Sequence, residues 1–232
     1  LSTLNPAHRT IMFDLHGHGS GVRASTPFRL EHCVTDALGV LDALEVERVT
    51  AVGFSLGASV AQLLGRRAPH RTAGLVLAAS STVFSERRRE RAQFAVLRHG
   101  ARGMRRLPDR TRRRVFERIA TRECRRYPEW VLETVLEADP VALLEAGAEI
   151  GTFDSTTWAE HLRQPTAVIV TERDTIVPPD RQRALADRIA HSVVFTVESD
   201  HDLPVRDTDR FGRILLDAAD TVTSQLRQPA LR

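Results

Sequence analysis

The sequence predicts an α/β protein, a mostly parallel sheet with helices on both faces, interrupted by one helical insert. Three observations carry that expectation. Short β-branched apolar runs alternate with segments whose apolar residues recur at helical spacing. One of those runs, Val49 to Val52, passes through Gly53-Phe54-Ser55-Leu56-Gly57 into a helical pattern of Ala58, Val60, Ala61, Leu63 and Leu64. From about Val83 to Leu162 the alternation stops, and several helical stretches replace it.

Each element has its own signal. Thr10-Ile11-Met12-Phe13 predicts a first strand, and Thr26-Pro27 a helix start ahead of Leu30, Val34, Leu38 and Leu41. Val49 to Val52 is a strand and Ala58 to Arg67 a helix. The run from Ala73 to Ala79 is almost wholly apolar, as a strand buried on both faces must be. Pro165 to Thr171 predicts another strand, Asp180 to Ala190 a helix, and Val193 to Val197 the last strand before a final helix. Strands alternating with helices imply right-handed crossovers, which place functional residues at the carboxyl ends of the strands.

Ser55 stands at such an end. A serine hydroxyl is a weak nucleophile unless an adjacent base activates it and the backbone presents it, and glycines on both flanks let neighbouring backbones pass close by. A strand, a sharp turn bearing serine and a helix make the arrangement of a nucleophile elbow. Its expected partners are an acid and a histidine, in that order, each just past a later strand. Asp174 follows the strand ending at Thr171, with Asp154, Asp180 and Asp200 as weaker rivals; His201 follows the strand ending at Val197, whereas His161 and His191 precede strands. No acid follows the strand ending at Ala79, where Ser80, Ser81 and Thr82 stand. His16 and His18 form H-x-H without a third ligand nearby and are read as loop histidines. Gly19-Ser20-Gly21-Val22-Arg23-Ala24 fits a dinucleotide-binding pattern, but no helix opens on its glycines and no acid ends the next strand.

These motifs together resemble the α/β-hydrolase superfamily, in particular its lidded carboxylesterases and carbon-carbon bond hydrolases. Asp14-Leu15-His16-Gly17-His18-Gly19-Ser20 is similar to the family's D-x-x-G-x-G-x-S segment, Gly53 to Gly57 to its elbow, Arg173-Asp174 with Val177-Pro178 to its acid loop, and Asp200-His201 to its histidine loop. The resemblance implies an α/β-hydrolase core over residues 1–82 and 163–232 and a helical lid insert over 83–162. It implies a Ser55-Asp174-His201 triad with Leu56 N–H as an oxyanion donor, no metal and no cofactor. The expected activity is hydrolysis of an acyl bond, most simply a carboxylic ester, in a small apolar substrate. Carbon-carbon bond cleavage, acyl transfer and cofactor-free haloperoxidase activity share the same residues, and a non-catalytic hydrolase-like protein is the alternative from another class. Only Leu1 to Arg9 precede the first predicted strand, where the family has an earlier strand and a His-Gly loop that gives the second oxyanion donor. The N-terminal strands are therefore expected to be absent from this chain. The strands ending at Asp14 and Gly53 would then leave a gap or close up, and the chain alone would be poorly soluble and nearly inactive.

Composition bounds the rest. With 232 residues and 42% apolar content the chain can bury a sizeable core. Two cysteines, Cys33 and Cys124, lack metal-ligand spacing and fit a reducing, cytoplasmic compartment. No run approaches the roughly 18 apolar residues of a membrane span. All 33 basic residues are arginine, and 16 of them fall between Arg87 and Arg126. The runs Arg87-Arg88-Arg89 and Arg112-Arg113-Arg114 could attract an anionic substrate or lipid surface, but Glu86, Glu90 and Glu117 dilute them and point to a solvated face. With Tyr127 the only tyrosine, nucleic-acid binding is not expected. Phe94, Leu97, Phe116, Ile119, Trp130 and Leu143 are among the residues of the insert available to an acyl pocket.

Overall fold

The computed structural model of the chain describes residues 8–22 and 26–227. The chain divides into two compact units. One comprises the described residues of Leu1–Ile11, Ala37–Phe84 and Phe153–Arg232; the other comprises those of Met12–Asp36 and Ser85–Thr152.

The first unit is built on a four-stranded sheet of β1 (Val49–Phe54), β2 (Thr72–Ala78), β3 (Thr166–Thr171) and β4 (Val193–Val197), in that spatial order and parallel throughout. The central strands β2 and β3 are the two continuous apolar runs, and all six residues of β3 are buried. Side chains alternate between faces. On one face Val76, Ala78, Ala167 and Ile169 form a core with Val197, with Leu203 from the short α8 (Leu203–Arg206), and with Ala218 and Val222 from α9 (Thr208–Arg227). Gly74 lets α9 come down on the sheet, because a Cβ there would lie 2.2 Å from Val222 Cγ1. On the opposite face α2 (Leu56–Arg67) meets Leu75 at Gly65, and α7 (Pro179–Arg188) covers β3.

Register aligns the strand ends. Gly53 pairs with Leu77, Ala78 with Ile169 and Thr171 with Val197, so Ser55, Asp174 and His201 all follow strand ends on the carboxyl side of the sheet.

The second unit contains α3 (Arg88–Arg105), α4 (Asp109–Glu123), a 3-10 turn at Cys124–Arg126, α5 (Glu129–Glu137) and α6 (Pro140–Ile150). Helices α3 and α6 pack closely, since a Cβ on Gly151 would fall 2.2 Å from Phe94 Cγ and one on Gly147 3.1 Å from Leu97. Helix α1 (Leu30–Ala43) divides between the units. Burial holds the Cys33 thiol at a pKa of about 11.

Two expectations are corrected. Thr10 to Phe13 forms no strand; Met12 is 63% exposed, and β1 pairs only with β2 among the described residues. Apolar alternation gives a segment the capacity to be a strand, but only a neighbouring ladder makes it one. Between Asp14 and Gly53 there is accordingly neither a gap flanked by two strands nor a closed pair. The α1 helix begins at Leu30, later than Thr26-Pro27 suggested, because residues 26–29 are irregular and His32 N–H first finds the Arg29 carbonyl.

Candidate active site

The Ser55 turn is held from three directions. Its N–H donates to Ala78 O at 2.8 Å, tying the turn to the end of β2, and its own carbonyl accepts Ala58 N–H at 3.0 Å as the first bond of α2. Its backbone sits at φ 52° and ψ −116°. Such a conformation is strained for a side-chain-bearing residue and persists only where the surroundings enforce it. Gly53 makes room for it: a Cβ there would be 2.2 Å from Gly57 O and 2.4 Å from Ala58 N. Gly57 differs, since a Cβ at that position would meet nothing within 4 Å. The first glycine of the motif is thus required by contact and the second is not. Leu56 opens α2, where a backbone N–H has no intrahelical acceptor and stays available to a developing negative charge.

The three side chains singled out in the sequence come together. His201 Nε2 is 3.0 Å from Ser55 Oγ, and His201 Nδ1 is 2.7 Å from Asp174 Oδ2. The loops that carry the acid and the histidine are stitched to each other, with Glu172 N–H donating to Val197 O and Arg173 N–H to Ser199 O, both at 2.9 Å. The Phe54 ring lies 5.0 Å from the His201 ring and 5.6 Å from Phe211, so the imidazole rests against an aromatic wall. The rivals are elsewhere occupied or exposed. Asp154 accepts Thr156 N–H, Asp200 accepts Asp202 N–H, and Asp180, His161 and His191 are exposed.

Asp174 is buried and held by more donors than the sequence disclosed. Its Oδ1 accepts the Ile176 and Val177 N–H groups at 2.8 and 2.9 Å, and its Oδ2 accepts the Thr171 hydroxyl at 2.9 Å besides His201. Behind these stands Gln182 of α7, fully buried. Its amide N–H groups reach Thr171 Oγ1 at 2.9 Å and Val177 O at 2.6 Å, while its carbonyl accepts Thr171 N–H at 3.0 Å. Burial is the largest influence on the Asp174 carboxyl and pushes its pKa up. The hydrogen bond and charge of His201, with the Val177 and Thr171 donors, outweigh burial and leave it below the ordinary carboxyl value. An ionised Asp174 requires the proton on Nδ1 of His201, so Nε2 presents its lone pair to the Ser55 hydroxyl. A base so placed can take the proton of an attacking hydroxyl and return it to a leaving group.

Thr171 and Gln182 were missed because each sits in an ordinary context, a strand terminus and a polar helix. The available signal was a glutamine eight residues after the acid, on a helix opened by Pro178-Pro179. In the second unit, His16 Nδ1 bonds Asp36 at 2.7 Å and His18 Nδ1 the His16 carbonyl at 2.9 Å.

Known proteins share the fold that carries this site. The family model for the alpha/beta hydrolase fold matches residues 1–205. Rhodomycin D methylesterase from Streptomyces sp. (strain C5) is 29% identical over 233 residues, covering 85% of this chain and 76% of its own. The 3-oxoadipate enol-lactonase 2 of Acinetobacter baylyi is 20% identical over 191 residues, covering 82% and 71%. Among solved structures, a hydrolase from Pseudomonas aeruginosa superimposes with a TM-score of 0.71 at 26% identity, over 89% of this chain and 77% of that one.

Proposed function

From the premise that this chain belongs to the α/β-hydrolase fold family, we propose that it is a serine hydrolase cleaving the acyl bond of a small apolar carboxylic ester. The observation that carries the reading is the line of contacts from Ser55 Oγ through His201 to Asp174, at 3.0 and 2.7 Å. In this reading Ser55 Oγ attacks the ester carbonyl carbon as His201 Nε2 takes its proton. Asp174 fixes the tautomer and stabilises the imidazolium, and Leu56 N–H faces the oxyanion. The alcohol leaves with the proton from His201, and water, activated by the same nitrogen, releases the acid. The methylesterase and lactonase relatives support acyl-oxygen chemistry. The division into a hydrolase core, 1–82 with 163–232, and a helical lid insert, 83–162, belongs to the same proposal, supported by the four helices that fill residues 88–150. Cytoplasmic residence is proposed from the two free cysteines. Among the described residues no helix is long and apolar enough to cross a membrane.

The test is a series of p-nitrophenyl esters of graded chain length offered to the full-length gene product, together with labelling by a fluorophosphonate. Turnover that favours short acyl chains, and covalent label on Ser55, are expected. Equal labelling of Ser55→Ala would remove the nucleophile assignment. A folded protein that neither turns over esters nor takes the label would establish the non-catalytic reading.

A further inference from the structure

Charge in this chain is strongly segregated. Residues 87–126 hold sixteen arginines against Glu90, Asp109, Glu117 and Glu123, a formal charge of +12, while the whole chain carries +3, so the other 192 residues are net −9. A composition that averages to near neutrality therefore hides a strongly basic pair of helices.

The structure shows where part of that charge goes. Arg114, Arg118 and Arg122 recur every four residues along α4, and with Arg125 from the 3-10 turn they line one open concavity, together with Glu117 and Thr121. All four arginines are exposed. The acid in the concavity is committed elsewhere, since Glu117 pairs with Arg113 at 3.0 Å, and none of the four forms an ion pair among the described residues. On the same outward side, one position further along the helix, Val115 and Ile119 are 38% and 54% exposed, and helical geometry places them between Arg118 with Arg122 on one flank and Arg112 on the other. The helix is anchored by its opposite side, where Ala120 is buried. Trp130, at the start of α5, is 50% exposed.

Asp109 and Glu117 on α4 pair with Arg112 and Arg113, which leaves Arg114, Arg118, Arg122 and Arg125 without an acid partner among the described residues, beside exposed valine and isoleucine. We propose that the outward face of α4 and the following turn is a docking surface for an anionic lipid bilayer. The guanidinium groups of Arg114, Arg118, Arg122 and Arg125 meet headgroup phosphates on flexible stems that lie along the interface, and Val115 and Ile119 enter the acyl boundary between them. Charge complementarity selects an anionic partner, and the interleaved aliphatic residues select a bilayer over a nucleic acid. Base stacking along a strand needs several exposed aromatic rings, and of those on these helices only Trp130 is exposed, while Phe94, Phe116 and Tyr127 are not. The inference is independent of the triad, since none of its residues takes part.

The test is flotation of the full-length gene product with phosphatidylcholine vesicles containing none or about a third phosphatidylglycerol. Association with the anionic vesicles alone is expected, falling at least tenfold as salt rises from tens to hundreds of millimolar. The variant Arg114→Gln/Arg118→Gln/Arg122→Gln/Arg125→Gln should lose roughly a hundredfold or more in vesicle affinity. Val115→Ser/Ile119→Ser should lose a smaller, salt-insensitive share. Arg163→Gln, on an exposed loop of the other unit, should bind as wild type. Unchanged melting curves in each variant, and unchanged hydrolysis of a soluble ester in the four-arginine variant, show that the fold is kept. Absence of binding to anionic vesicles at low salt, or undiminished binding by the four-arginine variant, overturns the proposal. Tighter binding of a single-stranded oligonucleotide than of the vesicles overturns it as well, and marks the face as a nucleic-acid surface.

Discussion

Two regions of this molecule are held in place by different physics. Every residue of β3 is buried, and β2 is nearly so, whereas Ala101 is the only buried residue among the 18 of α3 and Ala120 the only one among the 15 of α4. In the sheet, ladder bonds, packing on both faces and register fix each strand end several times over. In the helical unit, burial is concentrated where α6 packs on α3, and α4 is held by local hydrogen bonds and a few surface ion pairs. Chemistry that fails with an error of about 1 Å belongs on the first kind of scaffold. A charged docking face, which needs only exposure and approximate spacing, can stand on the second.

The largest expected effect tests the chemical half of this contrast. Ser55→Ala should lower ester turnover by roughly 10⁶-fold and Asp174→Asn by roughly 10⁴-fold, because nucleophile and base act as a unit while the acid orients. Steady-state kinetics on a soluble ester measures both, and equal small losses would mean the three residues meet without sharing a reaction. Next comes the scaffold itself. Gly53→Ala forces a Cβ to 2.2 Å from Gly57 O and should cost about 3 kcal/mol or more, whereas Gly57→Ala meets open space and should change stability by under about 1 kcal/mol. Denaturant melts of the two variants decide it, and a tolerant Gly53 would show the turn to be less constrained than its φ implies.

The same contrast explains what the sequence disclosed. Four of the five predicted strands formed, since each of their apolar runs has a neighbour to pair with; Thr10 to Phe13 has the pattern without a ladder, and pattern alone cannot reveal the missing neighbour. Ser55, Asp174 and His201 were legible because motif order and strand ends place them. Gln182 and Thr171 were not, since their role appears only when α7 folds back over the acid. The exposure of Val115 and Ile119 was also hidden, because sequence gives a helical face but not which side faces solvent.

Smaller effects should appear in the pH dependence of stability, with opposite signs in the two regions. The Asp174 pKa is lowered in the fold, so its contribution is fully present above the unfolded carboxyl value, near pH 4, and is lost as pH falls through the lower folded value. Glu149 of α6 behaves the other way. Burial pushes its carboxyl up and Glu31 adds to this, against Arg29 at 3.7 Å, so its contribution is greatest at low pH and is lost as pH rises through the raised value. Asp174→Asn should therefore flatten the acid limb of a stability-pH profile, and Glu149→Gln should flatten a decline on its neutral side. Gln182→Leu, which strands Thr171 N–H and Val177 O in the core, should cost about 1–3 kcal/mol and weaken the acid limb in the same direction as Asp174→Asn. Parallel profiles for wild type and Gln182→Leu would show that the glutamine fills space without holding the carboxylate.

The smallest effect separates two ion pairs inside the helical unit. Glu145 accepts Arg105 through both oxygens, at 2.7 and 3.0 Å, also accepts Phe28 N–H at 2.9 Å, and is 15% exposed. Glu117 pairs with Arg113 on the α4 surface, where both side chains are nearly half exposed. A bidentate, mostly buried carboxylate with a third donor should matter more than an exposed i,i+4 pair whose attraction is screened by solvent and offset by side-chain entropy. Glu145→Gln is expected to cost about 1–2 kcal/mol, and Glu117→Gln less than about 0.5 kcal/mol. Glu117→Gln should also strengthen binding to anionic vesicles, since it removes the one carboxylate from the arginine-lined concavity. Comparable destabilisation by both variants would mean that α4 depends on its surface pairs for order, which would set it closer to the sheet than its burial suggests.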